Sequence, residues 1–385
     1  MAAKNVYRLI LMIVLVFAAG CSAAGGFATV APPTPAQEDL AATESASSLN
    51  PSNTSPSITP TETVSPTSTI TLTPTSTEIV FDVGEELTIE YLRELEITGS
   101  EITFERRLND GANYEQHLVS YISEGNKIYG LLTIPHRDPP ESGYKAIVFN
   151  HGYIPPSEYR TTERYPAYVD YLARYGFVVL KIDYRGHGES EGEATGSYFS
   201  PGYTIDAISA LKSLQTLDFI DPQGIGMWGH SMAGNLVLRA MLIEPDIKAG
   251  VIWAGAVYSY DDFERYGIND RTYRPSEPQE TGEPDRRRRS REIIDTYGRP
   301  DTQTLYWKAV SLTENIEYLS APLQLHHAEN DTVVDIGYSM DLAVILNQHG
   351  KEYEFYTYEG GGHNLISPFF DQAMILTVEF FWNNL

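Results

Sequence analysis

The stretch that decides the fold is IGMWGHSMAG, residues 225–234. Small and apolar residues over Ile225–Gly229 predict a buried strand, and Ala233–Glu244 is typical of a helix. Ser231 stands between the two, with a small residue two positions away on each side. A serine in so tight a strand-to-helix turn exposes its hydroxyl and directs the following backbone N–H toward the same point. The pattern predicts Ser231 as a nucleophile, although Ala233 stands where glycine is usual.

Two downstream segments supply the partners that such a serine needs. LQLHHAEND, residues 323–331, reads as a strand followed by a loop that ends at Asp331, and GGGH brings in His363. His363 is predicted to take the serine proton, and Asp331 to hold the imidazole in the right tautomer. The alternatives are that Ser231 and His363 are only turn or loop residues. Asp331 could likewise be a turn former while Asp335 or Glu329 acts as the acid.

A further segment, VFNHGY at residues 148–153, predicts the site that binds the developing oxyanion. Its strand ends at His-Gly, just before the first predicted helix of the sheet region. The backbone N–H groups of Tyr153 and Met232 are the expected donors. His151 and the turn DYRGHGES, residues 183–190 with Arg185, are interpreted as bracing the site without taking part in the chemistry.

The remaining pattern predicts an α/β protein with a parallel sheet covered on both faces. Residues 115–122 and 127–135 alternate in character around Glu-Gly-Asn and predict an antiparallel hairpin. Further strands are predicted at 146–150, 178–183, 225–229, 250–254, 323–327 and 354–358. Helices are predicted at 167–175, 204–216, 233–244, 302–309, 336–349 and 372–383.

Composition restricts the partners. The formal net charge is −25, whereas a nucleic-acid partner requires a basic surface. Cys21 is the only cysteine, so no disulfide can form within the chain. His326 and His327 are adjacent on a predicted strand and face opposite sides, and no Cys/His cluster has metal-ligand spacing. We expect no metal, no cofactor and no nucleic acid. The sequence leaves the oligomeric state open.

The N-terminal segment resembles an export signal followed by a tether. Residues 1–21 combine basic Lys4 and Arg8 with a short apolar run that ends in Ala-Ala-Gly-Cys21. This pattern is similar to a bacterial lipoprotein signal, which implies lipidation at Cys21 and a membrane-anchored location outside the cytoplasm. A plain signal peptide or an uncleaved anchor are the alternatives. Residues 22–77 are rich in Pro, Thr and Ser and predict a disordered linker before a domain at 78–385.

One long polar insertion interrupts the domain at residues 257–300. It exceeds an ordinary connection and is expected to cap the active site. Its basic run, Arg286 to Arg289, is interpreted as a solvated helix face near acidic residues, with a carboxylate-binding patch as the alternative.

With these motifs, the chain from about Ile128 to Leu385 resembles the α/β-hydrolase superfamily. NHGY, DYRGHGES, GHSMAG, HAENDTVV and GGGH are most similar to the catalytic domains of the prolyl oligopeptidase (S9) group. The resemblance implies a doubly wound, mostly parallel sheet of about eight strands and a serine hydrolase without metal or cofactor. Cleavage of peptide or carboxylic ester bonds through an acyl-enzyme is expected. A carboxylesterase of the feruloyl or cinnamoyl type and a non-catalytic, ligand-binding surface lipoprotein are the alternatives.

Overall fold

The computed structural model describes residues 80–269 and 285–385, and only the backbone of 285–287. The predicted signal segment with Cys21 and the whole of the predicted linker, residues 22–77, lie outside the described residues. Within the described ranges, no helix is both long enough and apolar enough to cross a membrane.

The centre of the domain is a nine-stranded sheet in the part of the chain that the structure describes. Its strands are β1 Thr103–Arg107, β2 Tyr114–Ser123, β3 Asn126–Pro135, β4 Tyr144–Asn150, β5 Val178–Ile182, β6 Ile220–His230, β7 Gly250–Trp253, β8 Leu323–Ala328 and β9 Tyr353–Tyr358. The order across the sheet is β1-β2-β3-β5-β4-β6-β7-β8-β9. Neighbours from β5 through β4 to β9 run parallel, and β1, β2 and β3 add antiparallel pairs at one edge.

The chain reverses direction across the sheet at β4, because β5 lies on one side of it and β6 on the other. In a doubly wound sheet, a crevice opens beside the carboxyl ends of the strands at such a switch point. The topology therefore places a site where β4 and β6 end.

The predicted hairpin is β2–β3, and its turn explains its register. Ser123 pairs with Asn126 across a two-residue turn, and both turn residues, Glu124 and Gly125, have positive φ, at 46° and 79°. That backbone twist matches the twist of the two strands.

The structure agrees with the expected sheet of about eight strands and adds β1, which was not predicted because it has no sequence signature. All five of its residues are exposed, so its side chains show none of the alternation that marks a half-buried strand. Backbone pairing along β2, over Thr103–Ser120 to Arg107–His117, defines it instead.

Helices cover both faces of the sheet, as the sequence predicts. They are α1 Ile89–Glu94, α2 Pro166–Arg174, α3 Gly202–Leu214, α4 Met232–Ile243, α5 Tyr260–Tyr266, α6 Asp285–Tyr297, α7 Leu305–Val310, α8 Gly337–Gln348 and α9 Phe369–Asn384. Helices α3, α4 and α8 pack on one face and α2 and α9 on the other. Strand β4 shows the alternation: Val148 joins the first core cluster, and Ile147 and Phe149 join the second. No helix was predicted at α1 or α5, and α6 was anticipated only through the helix face proposed for Arg286 to Arg289.

The described parts of the predicted insertion form α5 and α6, and both pack against the body of the domain. Tyr266 of α5 lies 5.2 Å, ring to ring, from Tyr338 of α8. Tyr297 of α6 stacks on Tyr306 of α7 at 4.0 Å. Residues 270–284 lie outside the described part, so a cap formed by this insertion stays a prediction.

The basic run at the start of α6 has an acidic neighbour. Arg289 forms an ion pair with Glu86 near the start of the described chain. Its second acidic neighbour is Glu292, one turn later on α6, at 3.8 Å. This pairing agrees with the interpretation of the run as a solvated helix face among acidic residues.

Candidate active site

A cavity of about 530 Å³ opens at the carboxyl end of the sheet. Two stretches of chain form most of its wall, one following β4 and one following β9, and the residues next to the β6–α4 turn complete it. Its lining residues are Gly152, Tyr153, Ile154, Arg164, Tyr165, Pro166, Ala167, Tyr168, His230, Ser231, His363, Asn364, Ile366, Ser367, Phe370 and Asp371. Ser231 and His363, which are far apart in sequence, thus line the same cavity.

Ser231 is the single residue between β6 and α4. Its backbone has φ 58° and ψ −120°, a conformation that residues with a side chain seldom adopt and that persists only where the surroundings impose it. Its N–H donates to the carbonyl of Trp253 at the end of β7, at 2.9 Å. The turn therefore presents the Ser231 side chain at the strand ends, as its sequence predicts.

The end of β4 lies directly beside this turn. A Cβ on Gly152 would lie 3.1 Å from the Ser231 Cβ and 2.9 Å from the Tyr165 hydroxyl. Glycine keeps the two strand ends close together here, because a Cβ would press on the Ser231 Cβ and the Tyr165 hydroxyl. The close approach brings Tyr153, one predicted oxyanion donor, into the cavity wall. Met232, the other, is the first residue of α4.

Asp331 follows β8, and its side chain is fully buried. The imidazole Nδ1 of His363 donates to its Oδ2 at 2.7 Å. The N–H groups of Val333 and Val334 donate to its Oδ1 at 2.8 and 3.1 Å. Burial by itself raises the pKa of Asp331, but the hydrogen bonds from His327 and His363 outweigh burial and hold that pKa below its ordinary value. Asp331 is therefore an ionised acceptor for the imidazole.

The two alternative acids are placed elsewhere. Asp335 accepts the Gly337 N–H at 2.7 Å and so caps the start of α8, and Glu329 is exposed. Asp331 is the acid that holds His363.

The glycine-rich loop after β9 carries His363. Gly361 and Gly362 have positive φ, at 96° and 57°, which residues with a side chain adopt only under strain. The Gly362 N–H donates to the Asn330 side chain at 2.9 Å. These glycines and the Asn330 contact fold the loop back toward β8, and so bring the imidazole to Asp331.

Several residues that line the cavity were not predicted from the sequence. Tyr165, Tyr168 and Phe370 give the cavity an aromatic wall, and His230 lies in it immediately before the serine. Aromatic residues at the start of a helix more often pack in a core. The positions of these three aromatic residues in the sequence therefore do not indicate that they line a cavity.

A buried polar cluster braces the segment that precedes α2. Asp183 accepts hydrogen bonds from the hydroxyls of Tyr159, at 2.5 Å, and Thr161. Lys181, fully buried in β5, donates to the carbonyls of Thr161 and Arg164. Burial lowers the pKa of Lys181 to about 8 and raises that of Asp183 to about 6. The cluster thereby holds the segment that includes Thr161 and Arg164, and Arg164 lines the cavity.

The DYRGHGES turn and His151 are placed as structural parts. Arg185 forms an ion pair with the buried Asp206 at 2.7 Å and with Glu124 at 2.8 Å. His151 is fully buried and stacks on Tyr159 at 4.4 Å. Both anchor the strand ends from outside the cavity lining.

The adjacent histidines of β8 face opposite sides, as predicted. His326 contacts the Tyr358 hydroxyl at 2.8 Å, whereas His327 contacts the Ser339 hydroxyl at 2.7 Å. Among the residues that the structure describes, no group of three or more His, Cys, Asp and Glu side chains is arranged to hold a metal ion.

Comparison with known proteins bears on the family and the fold of the chain. The model of the prolyl oligopeptidase family, Peptidase S9, matches residues 164–385, more than half of the chain. The chain is 35% identical over 83 residues to an uncharacterised 31.7 kDa protein of Escherichia coli, a match that covers 22% of this chain and 29% of that protein. It is 26% identical over 254 residues to dipeptidyl peptidase 8 of Homo sapiens, covering 63% of this chain and 25% of that protein. The chain thus matches less than a third of the length of either relative.

Solved structures give the same fold. Acetyl xylan esterase 1 from Thermoanaerobacterium sp. superposes with a TM-score of 0.55 at 16% identity, covering 77% of this chain and 93% of that chain. Such a likeness concerns the fold alone, and it confirms the predicted α/β-hydrolase architecture. The family match and the fold together confirm the resemblance seen in the motifs: this chain belongs to the prolyl oligopeptidase family.

Proposed function

We propose that this protein is a serine hydrolase that cleaves peptide or carboxylic ester bonds through an acyl-enzyme. Ser231 is the nucleophile, His363 the general base and acid, and Asp331 the residue that orients the imidazole. The observation that carries the proposal is the 2.7 Å bond from His363 Nδ1 to Asp331 beside a cavity that Ser231 also lines.

The chemistry follows from that bond. Because a carboxylate only accepts, Nδ1 of His363 carries the hydrogen and Nε2 is the basic nitrogen. Nε2 takes the proton of Ser231 as its Oγ attacks the carbonyl carbon of the substrate, and then delivers it to the leaving amine or alcohol. The N–H groups of Tyr153 and Met232 are the proposed donors to the oxyanion. In the second half of the reaction, Nε2 takes a proton from water as the water attacks the acyl-enzyme carbonyl. The proton then returns to Ser231 and the carboxylic acid product is released.

The first prediction concerns the nucleophile. A fluorophosphonate should label the wild-type protein, and Ser231→Ala should abolish labelling and lower kcat for esters by at least about 10⁴-fold, because the covalent step is lost. Ser320→Ala, at an exposed serine outside the cavity lining, should label like wild type. Equal labelling of the Ser231→Ala protein contradicts the proposal and favours a ligand-binding role for the cavity.

The bond that is cleaved can be determined with two matched substrate series. Relatives of both kinds support the proposal, since dipeptidyl peptidase 8 is named as a peptidase and the Thermoanaerobacterium protein as an acetyl xylan esterase. Rates on p-nitrophenyl esters of rising chain length and on aminoacyl-p-nitroanilides, each corrected with Ser231→Ala, would assign this chain to one activity or to both.

We further propose that the domain is tethered outside the cytoplasm of a bacterial cell by a lipid on Cys21, with residues 22–77 as a flexible linker. The sequence pattern before Cys21 supports this. In a bacterial host, Cys21→Ser should move the protein from the membrane fraction to the soluble extracytoplasmic fraction. Retention of the variant in the membrane favours an uncleaved anchor, and a soluble wild-type protein favours a plain signal peptide.

A further inference from the structure

A chain of three hydrogen bonds links the segments that meet at the candidate site. The N–H of Gly152, at the end of β4, donates to the Tyr165 hydroxyl oxygen at 3.0 Å. The Tyr165 hydroxyl lies 2.7 Å from Nδ1 of His230. Nε2 of His230 lies 2.8 Å from the backbone carbonyl of His363. We refer to Tyr165 and His230 together as the Tyr–His bridge.

The direction of each bond in the bridge is determined by chemistry. A carbonyl oxygen only accepts, so Nε2 of His230 must carry a hydrogen and donate to His363. Burial first, and the nearby His363 second, lower the pKa of His230 to about 3, so its ring is neutral. Nδ1 is then an acceptor, and the Tyr165 hydroxyl donates to it. The hydroxyl proton is therefore directed to His230 and not to the space above Ser231.

The bridge acts on a different part of His363 from Asp331. Asp331 holds the imidazole at Nδ1, which fixes the tautomer. His230 holds the backbone of the same residue and is joined by one peptide bond to Ser231. The rings of His230 and His363 also lie 4.6 Å apart. The bridge is thus a direct link between His363 and the residue next to Ser231, whereas the Asp331 contact does not involve the Ser231 turn.

The other end of the bridge reaches the predicted oxyanion donor. Gly152 directly precedes Tyr153 in the chain, and its N–H is used by Tyr165. Tyr165 is itself held in a left-handed conformation, with φ 57° and ψ 30°, as the N-cap residue immediately before α2. A conformation of this kind in a residue with a side chain is maintained by its surroundings.

We propose that Tyr165 and His230 are positioning residues, which set the His363 loop and the Gly152–Tyr153 segment against the Ser231 turn. The inference rests on the proposed hydrolase function and goes beyond the triad and the oxyanion donors that the motifs predict. Misplacement of reacting groups by about 1 Å can lower a rate about 100-fold, so loss of the bridge should act on kcat more than on KM.

The test compares three variants of the full-length protein on a p-nitrophenyl ester. Tyr165→Phe, which removes one oxygen, should lower kcat by about 10- to 100-fold and change KM by less than about threefold. His230→Leu should lower kcat to a similar or greater extent. His230→Gln keeps an N–H that can donate to the His363 carbonyl and should recover at least part of the loss. The double variant Tyr165→Phe/His230→Leu should be no slower than His230→Leu, since both changes break one chain.

Two controls separate positioning from folding and from the chemistry itself. Tyr171→Phe, in the helix that follows Tyr165 but outside the cavity lining, should keep wild-type kcat. Thermal unfolding shows whether each variant is folded, and Tyr165→Phe remains informative if His230→Leu does not fold. Wild-type kcat in Tyr165→Phe, while Ser231→Ala is inactive, overturns the positioning role and leaves the hydrolase proposal standing. A wild-type protein without Ser231-dependent labelling overturns both.

Discussion

Four groups surround the carboxylate of Asp331, and they divide between its two oxygens. Oδ1 accepts the backbone N–H groups of Val333 and Val334. Oδ2 accepts from His363 and lies 3.3 Å from Nε2 of His327. Because every neighbour is a donor, the site accommodates a group that accepts on both sides. Only an ionised carboxylate does this among side chains of that size.

Asp331→Asn is therefore expected to keep the fold and lose the chemistry. The amide oxygen should take the Oδ1 position, because the N–H groups of Val333 and Val334 donate there. The amide NH₂ should then face His363. Nδ1 of His363 must then accept, which moves its hydrogen to Nε2, so the ring can no longer receive the serine proton. We expect kcat to fall by about 10⁴-fold, as measured with an ester substrate.

The exposed Glu329, the nearest acidic alternative in sequence, provides the control for this change. Glu329→Gln should retain wild-type kcat. If Asp331→Asn keeps more than about a tenth of wild-type kcat, or Glu329→Gln loses activity to the same degree, the assignment of the acid is wrong.

At the scale of elements, the contact between α4 and the end of β7 determines where the serine turn can sit. Gly234, in the first turn of α4, faces the chain after β7. A Cβ on Gly234 would lie 2.5 Å from the Cα of Gly255 and 2.9 Å from a methyl carbon of Ile252. Ala233 is fully buried, yet its methyl group is accommodated. The close approach of helix and strand is thus made at Gly234, one position after the glycine usual in the motif.

Gly234→Ala should consequently destabilise the protein despite the better helix propensity of alanine. Propensity favours the change by about 1 kcal/mol, but the clash is with backbone, and overpacking of this kind costs about 1–3 kcal/mol or more. Urea unfolding should show a lower midpoint with an unchanged m-value. Stability equal to or above that of wild type would contradict the close contact.

For the whole molecule, the sheet separates two core layers, and buried neutral histidines lie in and next to them. Burial lowers the pKa of His326 to about 3 and, together with His363, that of His230 to about 3. Burial likewise holds the pKa of His151 well below its ordinary value. All three rings are at most 2% exposed. In the unfolded chain each would titrate near its ordinary value of 6.5.

Stability is accordingly expected to fall as the solution becomes acidic. Because the folded-state pKa values are depressed, the unfolded chain binds more protons below pH 6.5, and acid favours unfolding. Each buried histidine should contribute a slope of up to about 1.4 kcal/mol per pH unit on the acid side of 6.5. Asp331, whose pKa is also lowered, adds to the loss only below its ordinary value of 3.8.

Urea unfolding at a series of pH values measures this slope. His326→Gln removes one titrating ring, so the slope of its free energy of unfolding between pH 5.5 and 4 should be smaller by about 1.4 kcal/mol per pH unit, whatever its stability at neutral pH. A slope equal to that of wild type would show that His326 is not held neutral in the folded protein.

The sequence by itself predicted the parallel sheet, most of its strands and the residues of the proposed triad. Those features are local: buried strands are continuous apolar runs, a tight turn requires small residues, and glycines mark where the loop before His363 reverses. Each leaves its pattern in a short stretch of chain, and the structure places all of these segments at one edge of the sheet.

The tertiary structure alone decided the rest. Strand β1 exists because β2 offers it backbone partners, and its exposed residues carry no pattern of their own. The aromatic cavity wall and the Tyr–His bridge join residues as far apart in sequence as Gly152, His230 and His363. Contacts across such separations arise from how the helices pack on the sheet, and a hydrogen bond between distant residues has no period or spacing by which a sequence could predict it.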